Sequence, residues 1–187
     1  MAKDTTRLTS PSGVARWPRL NQPDTKFNDK GEYKVDLVIP SSEAKTFVKT
    51  VSDIQKAAAG KAKLNMGWVK KETDDQGNET GNVIIRFKAK NVVLKDGSLW
   101  DRKPTIFDTA GRRITDNVGG GSQIKVACDV YSVTVNGTNF VQLQPVAVRV
   151  ENLVEYTGGH DAADFGFEVE KTDEVATPTE IEDEDLF

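Results

Sequence analysis

Residues 82–90 (NVIIRFKAK) constrain the fold most strongly, because apolar and polar side chains alternate along them. A period of two residues is characteristic of a β-strand with one buried face. The pattern therefore predicts a central strand that buries one set of side chains and exposes cations about 7 Å apart, twice the rise per strand residue. The apolar set is Val83, Ile85, Phe87 and Ala89, and the cations are Arg86, Lys88 and Lys90.

Two further segments alternate clearly enough to predict strands. Residues 32–39 place Lys34 and Asp36 opposite an apolar face. Residues 123–130 place Lys125 opposite another apolar face. Each of these strands is expected to bury one side and leave its charges in solvent.

Turn and break signals divide the rest of the folded part. Residues 14–20 predict a first strand whose second half Pro18 confines to an edge or a break. The dipeptide Asn136-Gly137 is a strong signal for a tight hairpin, and Pro145 shifts the apolar phase in a way that predicts a bulge. Residues 61–81 are interpreted as a long connection.

Only one segment has helical spacing, and it predicts an inserted α-helix over about 42–59. Ser41 or Ser42 is expected to cap it, and Gly60 to end it. Six or more strands with one helix indicate a mainly β domain, a small antiparallel barrel or sandwich. The helical apolar positions are Ala44, Phe47, Val48, Val51, Ile54 and Ala58.

The charge is distributed unevenly, although the net value is only -4. Residues 159–187 hold 11 of the 29 acidic residues and one of the 25 basic residues, a net charge of -10. Residues 1–158 therefore carry +6. The acidic segment is also poor in apolar side chains, which predicts a disordered tail after a folded domain at 1–158.

Enzymatic activity is not expected, because no nucleophile has a plausible neighbouring base. The single histidine, His160, lies in the acidic tail, and the single cysteine, Cys128, falls in an apolar phase. The carboxylates of 182–185 lack the spacing of a calcium loop, so neither metal nor cofactor is expected. With no apolar targeting segment or membrane-spanning run, we expect a cytoplasmic protein without membrane contact.

Cations interleaved with aromatic residues favour binding to a single nucleic-acid strand. Its phosphates need cations at about the spacing of the central strand, and each unstacked base gains roughly 1 to 3 kcal/mol on an aromatic ring. The alternative is a solvated basic face with rings that serve packing. The candidates are Arg16, Trp17, Lys34, Trp68, Arg86, Lys88, Lys90, Trp100, Arg102, Arg112, Lys125 and Tyr131.

Several stretches resemble the single-stranded DNA-binding replication proteins of tailed bacteriophages. These are ARWPRLNQPDTKFNDKGEYKVDLVIP, IIRFKAK, GGGSQIKV and the acidic end with Phe187. The resemblance implies an OB-fold core with a disordered acidic tail, DNA contacts at Lys30, Arg86 and Lys88, and a tail that contacts replication partners and competes with DNA. Val133 stands where better known members have a DNA-stacking tyrosine, and Tyr131 lies two residues earlier.

Residues and resemblance together predict a sequence-independent single-stranded DNA-binding protein for replication, recombination and repair. Expected partners are single-stranded DNA, a phage polymerase and helicase or primase, and a second copy in a homodimer. The alternatives are a structural or adaptor protein of a virion or scaffold, and a single-stranded RNA-binding protein. The partner-binding end of the tail comprises Asp183, Glu184, Asp185, Leu186 and Phe187.

Overall fold

The computed structural model describes residues 5–155, where the chain forms eleven strands and one helix. The expectations for the tail at 159–187 lie outside these residues. The elements are β1 (Thr6–Thr9), β2 (Gly13–Asp24), β3 (Glu32–Pro40), α1 (Ser41–Ala59), β4 (Lys63–Asn65), β5 (Val69–Thr73), β6 (Glu79–Lys90), β7 (Val92–Val93), β8 (Leu99–Trp100), β9 (Thr105–Phe107), β10 (Gln123–Val135) and β11 (Thr138–Asn152).

Five long strands follow one another around a closed ring, in the order β2, β3, β6, β11, β10 and back to β2. The pairings are antiparallel except between β6 and β11, which meet in parallel at Phe87 and Leu143. The short β4 and β9 also run parallel to β11. A five-stranded ring with one helix is the OB-type architecture that the resemblance predicted.

The predicted central strand lies within β6, and its alternation has the expected consequence. Ile85 and Phe87 are fully buried, while Arg86 on the other face is exposed. On β3, Val35 and Leu37 are likewise fully buried. The ring therefore encloses one apolar core, and the charged side chains of β3 and β6 share its outer surface.

Helix α1 covers one part of the ring with an apolar stripe. Its stripe residues Ala44, Phe47 and Val51 are buried, as the spacing predicted. Gly60, at a φ of 58°, ends the helix as expected. The capping prediction is wrong, because Pro40 occupies the N-cap position and the serines at 41 and 42 begin the helix without a side-chain cap.

The predicted connection at 61–81 contains two short strands, β4 and β5, and buries Trp68 at 4% exposure. The Trp68 indole Nε1 donates to Gln55 Oε1 at 3.1 Å, and the Gln55 amide donates to the carbonyls of Asn65 and Asn139. Trp68 is therefore a core residue and not an exposed stacking platform. Strands of three and five residues are too short to show a clear period in the sequence.

The predicted turn and breaks are confirmed. Asn136 and Gly137 join β10 to β11 with φ values of 49° and 74°, as a type I′ turn requires. The pairing of β10 with β11 shifts register near Pro145. On β2 the register shifts between Arg16 and Arg19.

Within residues 5–155, no helix is long and apolar enough to cross a membrane.

Candidate nucleic-acid interface

Strands β2, β3 and β6 align charged side chains in three rows across the outer surface of the ring. Each row follows the cross-strand pairing of Cα atoms, and successive rows on β3 and β6 are two residues apart. We call these the charged rows; together they contain six cations and three carboxylates. The rows are Arg16, Asp36 and Arg86; Arg19, Lys34 and Lys88; and Asp24, Glu32 and Lys90.

An open cleft of about 340 Å³ lies over these rows, and we call it the charged cleft. It brings together five of the residues predicted from sequence, on three different strands. The predicted members are Arg16, Trp17, Lys34, Arg86 and Lys88, and the carboxylates Glu32 and Asp36 complete the lining.

Each of the four cations that line the charged cleft is paired with a carboxylate. Arg86 donates from Nε and Nη2 to the two carboxylate oxygens of Asp36, both at 3.0 Å, and this contact raises the pKa of Arg86. Lys88 Nζ lies 2.8 Å from Glu32 Oε2. The remaining pairs are Lys34 with Asp24 at 2.5 Å and with Glu32 at 3.7 Å, and Arg16 with Glu72.

These pairs hold the cations in place without consuming their binding capacity. Each cation keeps about a third or more of its side chain exposed, while its carboxylate partner is largely buried, so a phosphate can share the cation from the solvent side. The side chain of Arg86 is 54% exposed, and only two of the five guanidinium N–H groups point to Asp36. The other donors remain available to an anion.

Trp17 projects from the break in β2 at the edge of the charged cleft. Its side chain is 70% exposed, and the Arg16 guanidinium carbon lies 5.7 Å from the ring centroid. Its backbone has a φ of 49°, in the left-handed region that bulky side chains avoid at a cost of about 1 to 3 kcal/mol. A strained residue with an exposed ring, next to cations, fits a binding role better than a packing role.

Trp100 and Arg102 lie on the segment that follows β6. The Arg102 guanidinium carbon is 4.9 Å from the Trp100 ring centroid, and Arg102 Nη2 donates to Gln144 Oε1 on β11. Burial lowers the pKa of Arg102. Gln142, also on β11, donates to the Lys88 carbonyl at 3.1 Å, so the outer face of β11 adjoins the charged rows.

The other predicted residues are placed differently. Lys90 ends the third charged row, and the Lys30 carbonyl accepts a hydrogen bond from Asn91 close by. Tyr131 is the cross-strand partner of Gln142. Lys125, 3.6 Å from Glu151, and Arg112, 2.9 Å from Asp108, do not line the charged cleft. Roles for these side chains remain predictions.

Sequence reasoning missed Arg19 and the carboxylates that pair with the cations. Arg19 begins the second charged row, where it is the cross-strand partner of Lys34. Glu32 shares the phase of Lys34 and Asp36, so the same alternation could have placed it on the polar face. Within residues 5–155 no group of three or more potential metal ligands comes together. Residues 183–187 lie outside the described part.

Comparison with solved structures identifies the architecture. No protein-family model and no curated protein matches the chain. The single-stranded DNA-binding protein of bacteriophage T7 matches with a TM-score of 0.66 and 22% identity, over 92% of this chain and 100% of that one. The chain has the fold of phage single-stranded DNA-binding proteins. The fold that the resemblance predicted is thereby confirmed.

A second phage protein has the same architecture at lower sequence identity. The single-stranded DNA-binding protein of bacteriophage Enc34, in complex with single-stranded DNA, matches with a TM-score of 0.59 and 12% identity. The match covers 81% of this chain and 89% of that one. A C-terminal truncation of the Enc34 protein matches with a TM-score of 0.58 and 12% identity, over 80% and 87% of the two chains.

Proposed function

We propose that this chain is a non-enzymatic protein that binds single-stranded DNA along the charged cleft without reading its sequence. The observation that carries the proposal is the exposed, strained Trp17 beside four ordered cations on three strands. In OB folds, the face of the second and third strands of the ring binds oligonucleotides. Here those strands are β3 and β6, which carry most of the charged rows.

Phosphates and bases have separate places in this arrangement. The backbone phosphates would share Arg86, Lys88 and Lys34 with their carboxylates, since each cation keeps about a third or more of its side chain in solvent. A base would stack on the Trp17 ring, which favours an unpaired strand because bases in a duplex already stack on each other. Every base has a flat face, so this mode of binding tolerates any sequence.

The wider role that we propose is the coating of single-stranded intermediates in phage replication, recombination and repair, in the cytoplasm of the bacterial host. The -10 charge of residues 159–187 supports a tail that competes with DNA for the charged cleft. Leu186 and Phe187 would bind a phage polymerase or a helicase or primase, and a homodimer is the proposed assembly. The fold of phage DNA-binding proteins supports this context.

A salt titration tests the DNA site. Labelled oligo-dT is bound to the full-length protein and to an Arg86→Ala/Lys88→Ala variant, and anisotropy is measured across a salt series. The slope of log affinity against log salt is negative, and each lost phosphate contact should reduce its magnitude by about 0.7. We therefore expect the slope of the double variant to be shallower by about 1.4. The matched control removes two exposed cations of α1, Lys45→Ala/Lys56→Ala, and should leave the slope unchanged.

The outcomes separate the alternatives. Equal slopes in wild type and the Arg86/Lys88 variant would remove the charged cleft as the DNA site. Failure of the wild type to bind any oligonucleotide would favour a structural or adaptor role. Competition with a matched RNA distinguishes a DNA-binding from an RNA-binding protein, because only RNA offers 2′-hydroxyl contacts.

A further inference from the structure

We propose that Phe27 and the hairpin of residues 92–100 form a second base-binding site for the same DNA strand, beyond the third charged row. The site rests on the proposed function, because its ligand is the continuation of the strand in the charged cleft. Phe27 lies in the loop between β2 and β3, one of the loops that bind oligonucleotides in OB folds. We call this loop and the hairpin together the outer site.

The outer site exposes an unusual amount of apolar surface. Phe27 is 85% exposed, and β7 and β8 form a separate two-stranded sheet. Each of the five large apolar side chains of the hairpin is at least 40% exposed. The pairing of β7 with β8 puts Val92 and Trp100 on the same face. Apolar surface of this kind marks an interaction site. The five side chains are Val92, Val93, Leu94, Leu99 and Trp100.

The net positive charge around these rings, five lysines and Arg102 against Asp29, Asp96 and Asp101, favours a polyanion as the ligand. Arg102 lies over Trp100 at 4.9 Å, and Lys26 Nζ lies 5.3 Å from the Phe27 ring centroid. Unlike the cations of the charged cleft, the lysines here make no ion pair with any carboxylate within residues 5–155. A phosphate that arrives at this end displaces no acidic partner. These lysines are Lys26, Lys30, Lys90, Lys95 and Lys103.

Asn91 joins the two halves of the outer site to each other. Its backbone N–H donates to the Gly31 carbonyl at 3.0 Å, and its side-chain Nδ2 donates to the Lys30 carbonyl at 2.9 Å. Its Oδ1 accepts from the Arg102 backbone N–H at 2.9 Å. Asn91 is 5% exposed and follows Lys90 directly.

The three hydrogen bonds of Asn91 fix the loop and the base of the hairpin to each other next to Lys90. The loop and the hairpin are therefore held at the end of the charged rows before any ligand arrives. Such ordering lowers the entropic cost of binding, so exposed rings held in this way can contribute affinity. The outer site can therefore contact those bases of the strand that extend beyond the charged cleft past Lys90.

Oligonucleotide length tests the outer site separately from the cleft. The affinity of the full-length wild type for dT oligomers of about 6 and about 16 nucleotides, within the range of OB-fold site sizes, is compared with that of a Phe27→Ala/Trp100→Ala variant. We expect the double variant to bind the longer oligomer about 100-fold more weakly, roughly tenfold for each ring. The gain in affinity from the shorter to the longer oligomer should fall at least tenfold.

Two further variants keep the test decisive. Met66→Ala removes an exposed apolar side chain from the loop between β4 and β5, outside both the outer site and the charged cleft, and should retain wild-type affinity. Lys95→Glu leaves both rings in place and should weaken binding of the longer oligomer by reversing one charge. Circular dichroism melting of each variant confirms that it folds.

The results distinguish failure of the outer site from failure of the proposed function. One result is that the wild type binds the longer oligomer tightly while the double variant gains the same affinity from the shorter to the longer oligomer. In that case the outer site is wrong, and the charged cleft stays the proposed DNA site. If the wild type binds neither oligomer, the proposed function itself fails. If the double variant keeps its DNA affinity but changes oligomeric state in light scattering, the hairpin is instead an interface between copies of the chain, which also overturns the proposal.

Discussion

At the scale of single residues, Trp17 combines features that oppose folding. Its left-handed backbone is unfavourable for any residue with a Cβ, the following proline restricts it further, and its exposed ring gains little from burial. The alternation of residues 14–20 with a proline predicted a break here. The sequence could not show which residue would take the strained conformation, because that depends on how β2 pairs with β3.

The backbone of Trp17 leads to a prediction about stability. Trp17→Gly should be more stable than Trp17→Ala by about 1 kcal/mol, because glycine adopts a positive φ without a Cβ clash. Both variants should bind oligo-dT roughly tenfold more weakly, since both lose the ring. Urea denaturation measures the free energies of unfolding, and anisotropy measures affinity.

Trp100 offers the matched comparison, since it is an exposed tryptophan in a strand and its own backbone φ is not positive. There the order should reverse, with Trp100→Ala more stable than Trp100→Gly by about 0.5 to 1 kcal/mol. The same order at both positions would contradict the strain at Trp17.

Glu72 couples pH to the charged cleft through its ion pair with Arg16. It is 8% exposed and accepts hydrogen bonds from Asn82 at 2.9 Å, Thr80 at 2.7 Å and Arg16. Asn82, then Thr80, then Arg16 hold its pKa below the ordinary value of 4.5. The lowered pKa means that this network stabilises the fold fully above pH 4.5 and is lost as pH falls through the pKa of the folded state.

We therefore expect Glu72→Gln to lower the free energy of unfolding by about 1 to 2 kcal/mol at pH 7, and by less at pH 3. The measurement is urea denaturation of both proteins from pH 7 to pH 3. Lys71→Gln, which changes an exposed neighbour of Glu72, provides the control. A difference between Glu72→Gln and wild type that stays constant across this range would show that the carboxylate has no lowered pKa.

At the scale of elements, β3 and β6 could be predicted because each alternates over eight or more residues, which fixes its buried face. The partners of the cations could not be predicted. Asp36 meets Arg86, and Glu32 meets Lys88, only through the register between the two strands. Alternation fixes the face of a residue, whereas its cross-strand neighbour depends on the pairing of distant segments.

Helix α1 and the two short strands after it are linked by Gln55, which is fully buried. Gln55→Ala should destabilise the protein by about 3 kcal/mol, because it leaves the Trp68 N–H and two carbonyls of β4 and β11 without their partner. DNA affinity should be unchanged, since α1 does not line the charged cleft.

Thermal and urea unfolding measure the effect of Gln55→Ala, and Lys56→Ala, an exposed neighbour on the same helix, serves as the control. A loss below about 0.5 kcal/mol would mean that the buried amide adds little to the attachment of α1. A large loss of DNA affinity in the folded variant would instead connect the helix to binding.

At the scale of the whole molecule, the division of charge is the feature that the sequence showed best. Residues 1–158 carry +6 and residues 159–187 carry -10, and the charged rows concentrate six cations on one face of the folded part. The closure of the ring could not be predicted from the sequence, because β6 and β11 meet through one parallel pair that no local pattern encodes. The resemblance to a known family, rather than periodicity, distinguished an OB fold from a sandwich.

Truncation after Gly158 should raise the affinity for single-stranded DNA at low salt. In the proposed competition, a tethered segment of charge -10 would have an effective concentration of the order of millimolar near the charged cleft and would oppose phosphates even if each contact were weak. The gain should shrink as salt screens the tail, with a Debye length of about 10 Å at 0.1 M and about 3 Å at 1 M. Phe187→Ala, which keeps every charge, should leave DNA affinity unchanged while it weakens recruitment of a polymerase or helicase. The measurement is the anisotropy of one labelled oligo-dT titrated with the full-length, truncated and Phe187→Ala proteins across the same salt series. Equal affinities of the truncated and full-length proteins at every salt concentration would refute competition, because a tail of this charge could not occupy the cleft without opposing DNA.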